Sequence, residues 1–406
     1  MTLKELKAKL KQYLYIEDGG VVDIVLASAL ANIKVVDHPV WLVVVGAPSS
    51  GKTQVLIPLD HAQPSGDKTI HKVTDLTPNT FLSGAKTKDY DPSLLTRIGE
   101  NPGILLFPDL TSLFSKDTQV LQEVLGQLRH IYDGYLVKHT GNGLPLEWNG
   151  RLGILAASTA SIYKHFEDMA DMGERFLYYR MKPFDKDKAM ETAMHRKLSG
   201  KSLDAAIGGL YHDYITAVAS GVTTIPTMHE EDNHAISEMA KIAAVIRTPV
   251  SIDKFSGLVD RIPESEMPMR TGLQLRTLAT GMMIMNMHEH GTSRLTDENL
   301  CALEWCAFSL ASDERRATLK TLATYAQGAT ASSIGQTMKL PTKTAERGLD
   351  QLHALGLVTK TSSGNLEMWR LVDDKLKEAI VRAFDVIELD GALDVENDYS
   401  DLVEQF

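Results

Sequence analysis

Hydrophobic positions change their spacing along this chain, and each change marks a part of it. The first forty residues read as two helices. The second, Val21 to Ile33, is apolar nearly all round and stops at His38-Pro39. Five short apolar runs follow, at Trp41–Val45, Ile70–Val73, Gly103–Phe107, Leu152–Ala157 and Phe176–Met181. Runs of this length, continuous and bounded by turn residues, are the pattern of parallel strands covered on both faces. Between the third and the fourth lies Asp117–Tyr132, with Val120, Leu121, Val124, Leu125 and Leu128 at helical spacing. Strands alternating with helices predict an α/β fold with a parallel sheet. From Asp185 the strand signals stop, and 186–220, 231–247, 269–289 and 296–312 read as helices. Ser312 to about Val372 reads as three helices and a hairpin.

This pattern predicts five segments: an N-terminal helical segment (1–39), an α/β core (40–184), a helical domain (185–311), a small helix–turn–helix domain (312–384) and an acidic tail (385–406). A hydrophobic share of 43% and a charged share of 23% exclude a disordered chain and a collagen-like fibre. No apolar run approaches the ~18 residues of a membrane span. The opening MTLKELKAKLKQYLY reads as an amphipathic helix rather than a signal peptide. Cys301 and Cys306 fall in one helical stretch, which points to a reducing compartment without a structural disulfide. The expectation is a cytoplasmic protein without a membrane partner. Net charge is −11, but the tail carries −8 of it, in eight carboxylates with no Lys or Arg. The near-neutral body therefore has room for a basic channel.

The strongest chemical signal follows the first strand. Gly46-Ala47-Pro48-Ser49-Ser50-Gly51-Lys52-Thr53 matches G-x-x-x-x-G-K-[ST] between an apolar strand and a helix. Glycines let successive backbone N–H groups turn toward phosphate oxygens, and the helix start adds partial positive charge. Lys52 is expected on the β/γ-phosphates of ATP and Thr53 on Mg²⁺. Such a loop needs a carboxylate near the metal. Asp109 is the candidate, with the usual Asp-Glu pair reading either Pro108-Asp109 or Asp109-Leu110. One carboxylate is absent in both registers. Asp109 is left to hold the metal, to orient the attacking water, or both.

From about Val40 to Leu278 the chain resembles an AAA+ ATPase, and within that superfamily the minichromosome-maintenance (MCM)-type helicases and related ATPases of phages and mobile elements. The likeness rests on Leu76-Thr-Pro-Asn-Thr-Phe-Leu-Ser-Gly84, Asp91-Pro-Ser-Leu-Leu95, Gly126-Gln-Leu-Arg-His-Ile-Tyr-Asp-Gly134 and Gly173-Glu-Arg-Phe-Leu-Tyr-Tyr-Arg180. The resemblance implies that Thr159, with Ser158 as competitor, is the polar sensor at the end of its strand. It implies that Arg175, with Arg180 as alternative, is a finger inserted into a neighbour's nucleotide, and so a ring, most simply a hexamer. Arg270, favoured over Arg276, stands where the family has a second sensor. Tyr135 to Trp148 has apolar arms around Thr-Gly-Asn-Gly and reads as a hairpin. It lies where MCM-type and superfamily 3 helicases carry a pore hairpin. Lys138 and His139 are its candidate contacts to DNA phosphates, with Lys86 and Lys88 as weaker ones.

Ala331–Gly356 reads as helix–turn–helix, followed by two strands over Leu357–Leu371, and resembles a winged helix. Lys343 and Arg347, four apart, would share the outer face of its second helix, with Lys360 on the wing. The acidic tail is expected to be solvated, to mimic a polyanion or to dock a protein partner. His288 and His290 lack further ligands and read as surface residues. The leading expectation is an ATP-driven ring motor on DNA, a helicase or translocase. The alternatives are an ATPase switch or loader that assembles on DNA without unwinding it, or a protein remodeller or defence component that docks through the winged helix.

Overall fold

The computed structural model describes residues 1–35, 37–63, 68–85, 91–139, 145–165, 175–198, 200–253, 259–262, 264–363 and 366–386. It is a mixed α/β chain built on a five-stranded parallel sheet. Contacts divide it into two units, Met1–His234 with Leu273–Asn299, and Ala235–Gly272 with Leu300–Phe406. The expected N-terminal helical segment belongs to the same unit as the sheet. The expected helical domain is shared between the two units.

In the first unit, helices α1 (Leu3–Leu10) and α2 (Gly20–Lys34) precede β1 (Trp41–Val45). The other sheet strands are β2 (Ile70–Lys72), β3 (Gly103–Phe107), β6 (Leu152–Ser158) and β7 (Leu177–Arg180), in spatial order β2-β3-β6-β1-β7. All five apolar runs are therefore strands of one sheet. Every residue of β1, β3 and β6 is buried, as interior strands of a covered parallel sheet must be. Helix α2 lies against β1, β3 and β6, and its all-round apolar character follows from that position.

Polar side chains fix how α2 meets the sheet. The fully buried Asn32 amide accepts from Val40 N and donates to Val40 O, both at 2.9 Å. Arg151 donates to the carbonyls of Asn32, Asp37 and His38 at 2.7, 2.7 and 3.2 Å. Burial pushes its guanidinium down to about 10. Trp41 Nε1 donates to Leu152 O at 2.7 Å, and its ring meets Tyr132 edge-on at 5.1 Å.

Helix α6 (Thr118–Tyr132) is capped by Asp117 and buries Leu121, Val124, Leu125, Leu128 and Ile131. It leads into the antiparallel hairpin β4 (Tyr135–His139) and β5 (Pro145–Asn149), in the register Tyr135↔Asn149 to His139↔Pro145. The expected long helix over 186–220 is two helices, Lys186–His195 and Leu203–Gly221, with Ser202 capping the second.

The second unit has a core around Phe308, Leu319, Leu322, Ile334, Leu349, Leu352, Trp369 and Ile380. Helices Asp313–Ala323, Ala331–Thr337 and Thr342–Ala354 precede the antiparallel pair Val358–Ser363 and Leu366–Leu371. Two features of this unit lie outside the sequence expectation. A short antiparallel pair joins Ser251–Ile252 to Val259–Arg261, and a helix runs from Asp374 to Phe384. That helix buries Leu376, Ala379, Ile380 and Ala383 on one face. No described helix is long and apolar enough to cross a membrane.

Candidate nucleotide site

The loop after β1 is held from below by the sheet. Gly46 N donates to Ser158 O, at the end of β6, at 3.2 Å. Ser49 (φ 62°) and Gly51 (φ 82°) take left-handed conformations that turn the chain into α3 (Lys52–Leu56). The first is uncommon for a residue with a side chain and marks a built turn. Gly46 is required by crowding, because a Cβ there would stand 2.7 Å from Ser50 Oγ and 3.3 Å from Lys52 Cδ. Helix α3 is short because Pro58 follows. The chain tightens into a single 3₁₀ stretch over Ile57–His61.

Lys52 is 8% exposed, and its ammonium donates back to Ala47 O at 2.8 Å, within its own loop. Burial lowers its proton affinity, and the charge of Asp109 opposes that shift. The two side chains therefore lie within electrostatic reach. Thr53 is exposed, and its hydroxyl makes no hydrogen bond among the described residues. Ser50 is buried, with Oγ 3.8 Å from Met181 Sδ.

Asp109 follows β3 and is exposed. Its Oδ1 accepts from Thr111 N at 2.9 Å and from Thr111 Oγ1, so the carboxylate is bonded to the first residue of the short helix α5 (Thr111–Phe114), which has no side-chain cap of its own. Oδ2 takes no hydrogen bond among the described residues. Leu110 N donates to Ala157 O at 2.8 Å, which ties this turn to β6. At the end of β6, Thr159 Oγ1 and Ser161 Oγ are 2.6 Å apart, and the buried Ser158 turns its hydroxyl onto Thr159 O. Strand β6 lies between β1 and β3. The loop, Thr159 and Asp109 thus end three adjacent parallel strands on one edge of the sheet, where ligands of open α/β sheets sit.

The two candidate finger arginines fall at opposite ends of one strand. Arg180 pairs in register with Val45, at the loop edge, and lies 5.1 Å over the Tyr163 ring. Arg175 precedes β7 at the other edge, roughly 15 Å away along the chain. It is 4% exposed, pairs with Asp133 at 3.1 Å and lies 5.4 Å over the Tyr132 ring. Arg270 is half-buried and belongs to the second unit, whereas Lys52 belongs to the first.

Lys138 is not directed to solvent as expected of a DNA contact. Its ammonium donates to Pro78 O, Asn79 Oδ1 and Leu82 O at 2.9, 2.6 and 3.2 Å, which uses all three of its donors. Burial lowers its proton affinity. Gln127 Nε2 also donates to Pro78 O, and Trp148 Nε1 to Gly99 O. The hairpin is thus bonded to the segment between β2 and β3. His139 is exposed. The hairpin tip 140–144, Lys86 and Lys88 lie outside the described residues.

Lys343 and Arg347 are exposed on the helix Thr342–Ala354, as expected. Lys360 pairs with Glu367 at 2.8 Å over the Trp369 ring. No group of three or more His, Cys, Asp or Glu among the described residues could hold a metal on its own.

The sequence reading missed Thr111 and the acceptors of Lys138. Thr111 carried a local signal, a hydroxyl two residues after a turn Asp at a helix start. The Pro78–Leu82 acceptors carried none, since they lie some sixty residues from Lys138 and two are main-chain carbonyls. No family model matches the chain, and no curated protein matches its sequence.

Proposed function

We propose that this chain is an ATP-hydrolysing AAA+-type ATPase that works as a ring on DNA, as a helicase or translocase of MCM-like type. One observation carries the reading. The loop Gly46–Thr53, the polar end of β6 and the carboxylate after β3 lie at the same end of three adjacent parallel strands, and the Asp109 charge acts on Lys52. The residues present fit a triphosphate with a divalent cation. Thr53 offers an exposed hydroxyl, Asp109 an oxygen without a hydrogen bond among the described residues, and Lys52 a largely buried ammonium.

ATP entry would draw Lys52 from Ala47 O onto the β/γ-phosphates, where fixed positive charge stabilises the transition state. The loop N–H groups would hold the phosphates at the start of α3. Thr53 and Asp109 would hold Mg²⁺, which when bound offsets charge on the β- and γ-oxygens. Thr159 would orient the water. Arg175 is too far along β7 to serve its own loop, which supports a role toward a neighbouring copy after release from Asp133. The small domain at 312–384 would act as a winged helix, with Lys343 and Arg347 on the DNA backbone.

A second reading is favoured by two observations, the anchored Lys138 and the single carboxylate already bonded to Thr111. It is a slow ATPase switch or loader that assembles on DNA without unwinding it. DNA-stimulated ATPase and strand displacement on forked DNA, measured together, test both. The motor reading expects hydrolysis raised by DNA and strands separated. The switch reading expects DNA-dependent assembly without separation. ATPase activity and binding indifferent to DNA and salt would contradict both and leave a protein remodeller.

A further inference from the structure

The turn and second helix of the 312–384 domain carry three exposed cations, Lys339, Lys343 and Arg347. Lys339 occupies a left-handed turn position (φ 52°) just before the helix. Lys343 and Arg347 are one helical step apart, about 6 Å along the axis. None of the three makes an ion pair among the described residues. Three other cations of this unit are engaged. Lys360 holds Glu367, Arg382 grips Glu304 through two nitrogens, and Arg315 donates to the carbonyls of Ile246 and Thr248. The helix's own carboxylates, Glu346 and Asp350, act on Lys360.

The same unit ends in residues 387–406, which lie outside the described residues and carry seven carboxylates with no Lys or Arg. They follow the helix Asp374–Phe384, which packs on Asp313–Ala323, which in turn packs on Thr342–Ala354. Twenty residues reach up to about 65 Å, far more than two helix widths. Asp394, Glu396 and Asp398 stand two apart in the sequence, the densest carboxylate cluster of this segment.

We propose that the acidic tail of this chain docks through Asp394–Asp398 on its own Lys339–Lys343–Arg347 face and competes there with the DNA backbone. The competition rests on the DNA reading above; the docking does not. Charge complementarity selects the tail over an apolar partner, because the face offers three cations and no large hydrophobic side chain beyond Leu340.

Carbodiimide coupling joins a lysine amine only to a carboxylate it touches, and it can be run on the full chain without DNA. A mixture of ¹⁵N-labelled and unlabelled protein separates coupling within a chain from coupling between chains. The expected products join Lys339 or Lys343 to Asp394, Glu396 or Asp398 of the same chain at about 0.05 M salt. They should fade near 1 M, where screening shortens to about 3 Å. Asp394→Asn/Glu396→Gln/Asp398→Asn should then tighten duplex DNA binding about fivefold, the size of three exposed ion pairs. Glu388→Gln/Asp401→Asn/Glu404→Gln, with the same charge change, should do much less. Absence of these products, products only between chains, or an equal tightening of DNA binding by the two triple variants would overturn the proposal. Coupling with unchanged DNA affinity would uphold the docking and instead remove DNA from this face.

Discussion

The Lys138 ammonium meets three acceptors on one turn, so its loss should be felt as stability. Lys138→Met keeps the stem and removes the charge, leaving Asn79 Oδ1 and Leu82 O without this donor, while Pro78 O keeps Gln127 Nε2. Urea unfolding should show a loss of about 2 kcal/mol. The slope of DNA affinity against salt should stay as in the wild type, whereas a phosphate contact would lower it by about one. A reduced slope with unchanged stability would restore Lys138 as a DNA contact. Sequence reading located the hairpin and this lysine on it, because apolar arms around a Gly-Asn tip are a local signal. It could not show where the ammonium points, because its acceptors come from a segment distant in the chain. Lys52 is the opposite case. Its expected role was legible from residues within eight positions, and the structure adds the bond to Ala47 O and the nearby charge of Asp109.

At the scale of elements, single polar side chains fix how helices meet their neighbours. Asn32 joins the end of α2 to the start of β1 with two bonds in a fully buried setting. Asn32→Ala should cost about 2 kcal/mol in urea unfolding, since Val40 N loses Asn32 Oδ1 while Val40 O keeps only Ile154 N. In the second unit, Glu304 on the helix Asp297–Phe308 receives Arg382 from the helix Asp374–Phe384 at 2.6 Å. Burial raises the Glu304 proton affinity and the Arg382 charge partly offsets this. With the folded value above the unfolded one, the folded state holds more protons between them. This group's contribution to stability therefore falls as pH rises through that window. Wild type should gain stability relative to Glu304→Gln as pH is lowered through the folded value toward the unfolded one, read by urea unfolding at each pH. A pH-independent difference would contradict the shift. The strands were legible as continuous apolar runs. The helix Asp374–Phe384 was not, because Asp373, Asp374, Lys375 and Lys377 mask an apolar face of only four buried residues. The break near Gly200 was hidden by helix-forming residues on both sides.

At the scale of the molecule, the candidate residues fall into two groups at opposite ends of the sheet strands. The loop edge carries Lys52, Asp109, Thr159 and Arg180, and the opposite edge carries Arg175 beside Asp133. If Arg175 completes a neighbour's site, mixing Arg175→Ala chains with Lys52→Ala chains should recover part of the ATPase activity that each lacks alone. Circular dichroism of each variant checks that both fold. No recovery in any mixture would confine the arginine to its structural pair.

The proposed ATPase activity depends on a triphosphate seated at the loop edge. Calorimetric titration of the full chain with ATP and Mg²⁺ tests that directly, with wild type compared against Lys52→Ala and Asp109→Asn. The expected result is saturable binding by wild type, its loss in Lys52→Ala, and binding in Asp109→Asn that no longer responds to Mg²⁺. Binding of equal strength by all three chains, or by none, would contradict a nucleotide site at this edge.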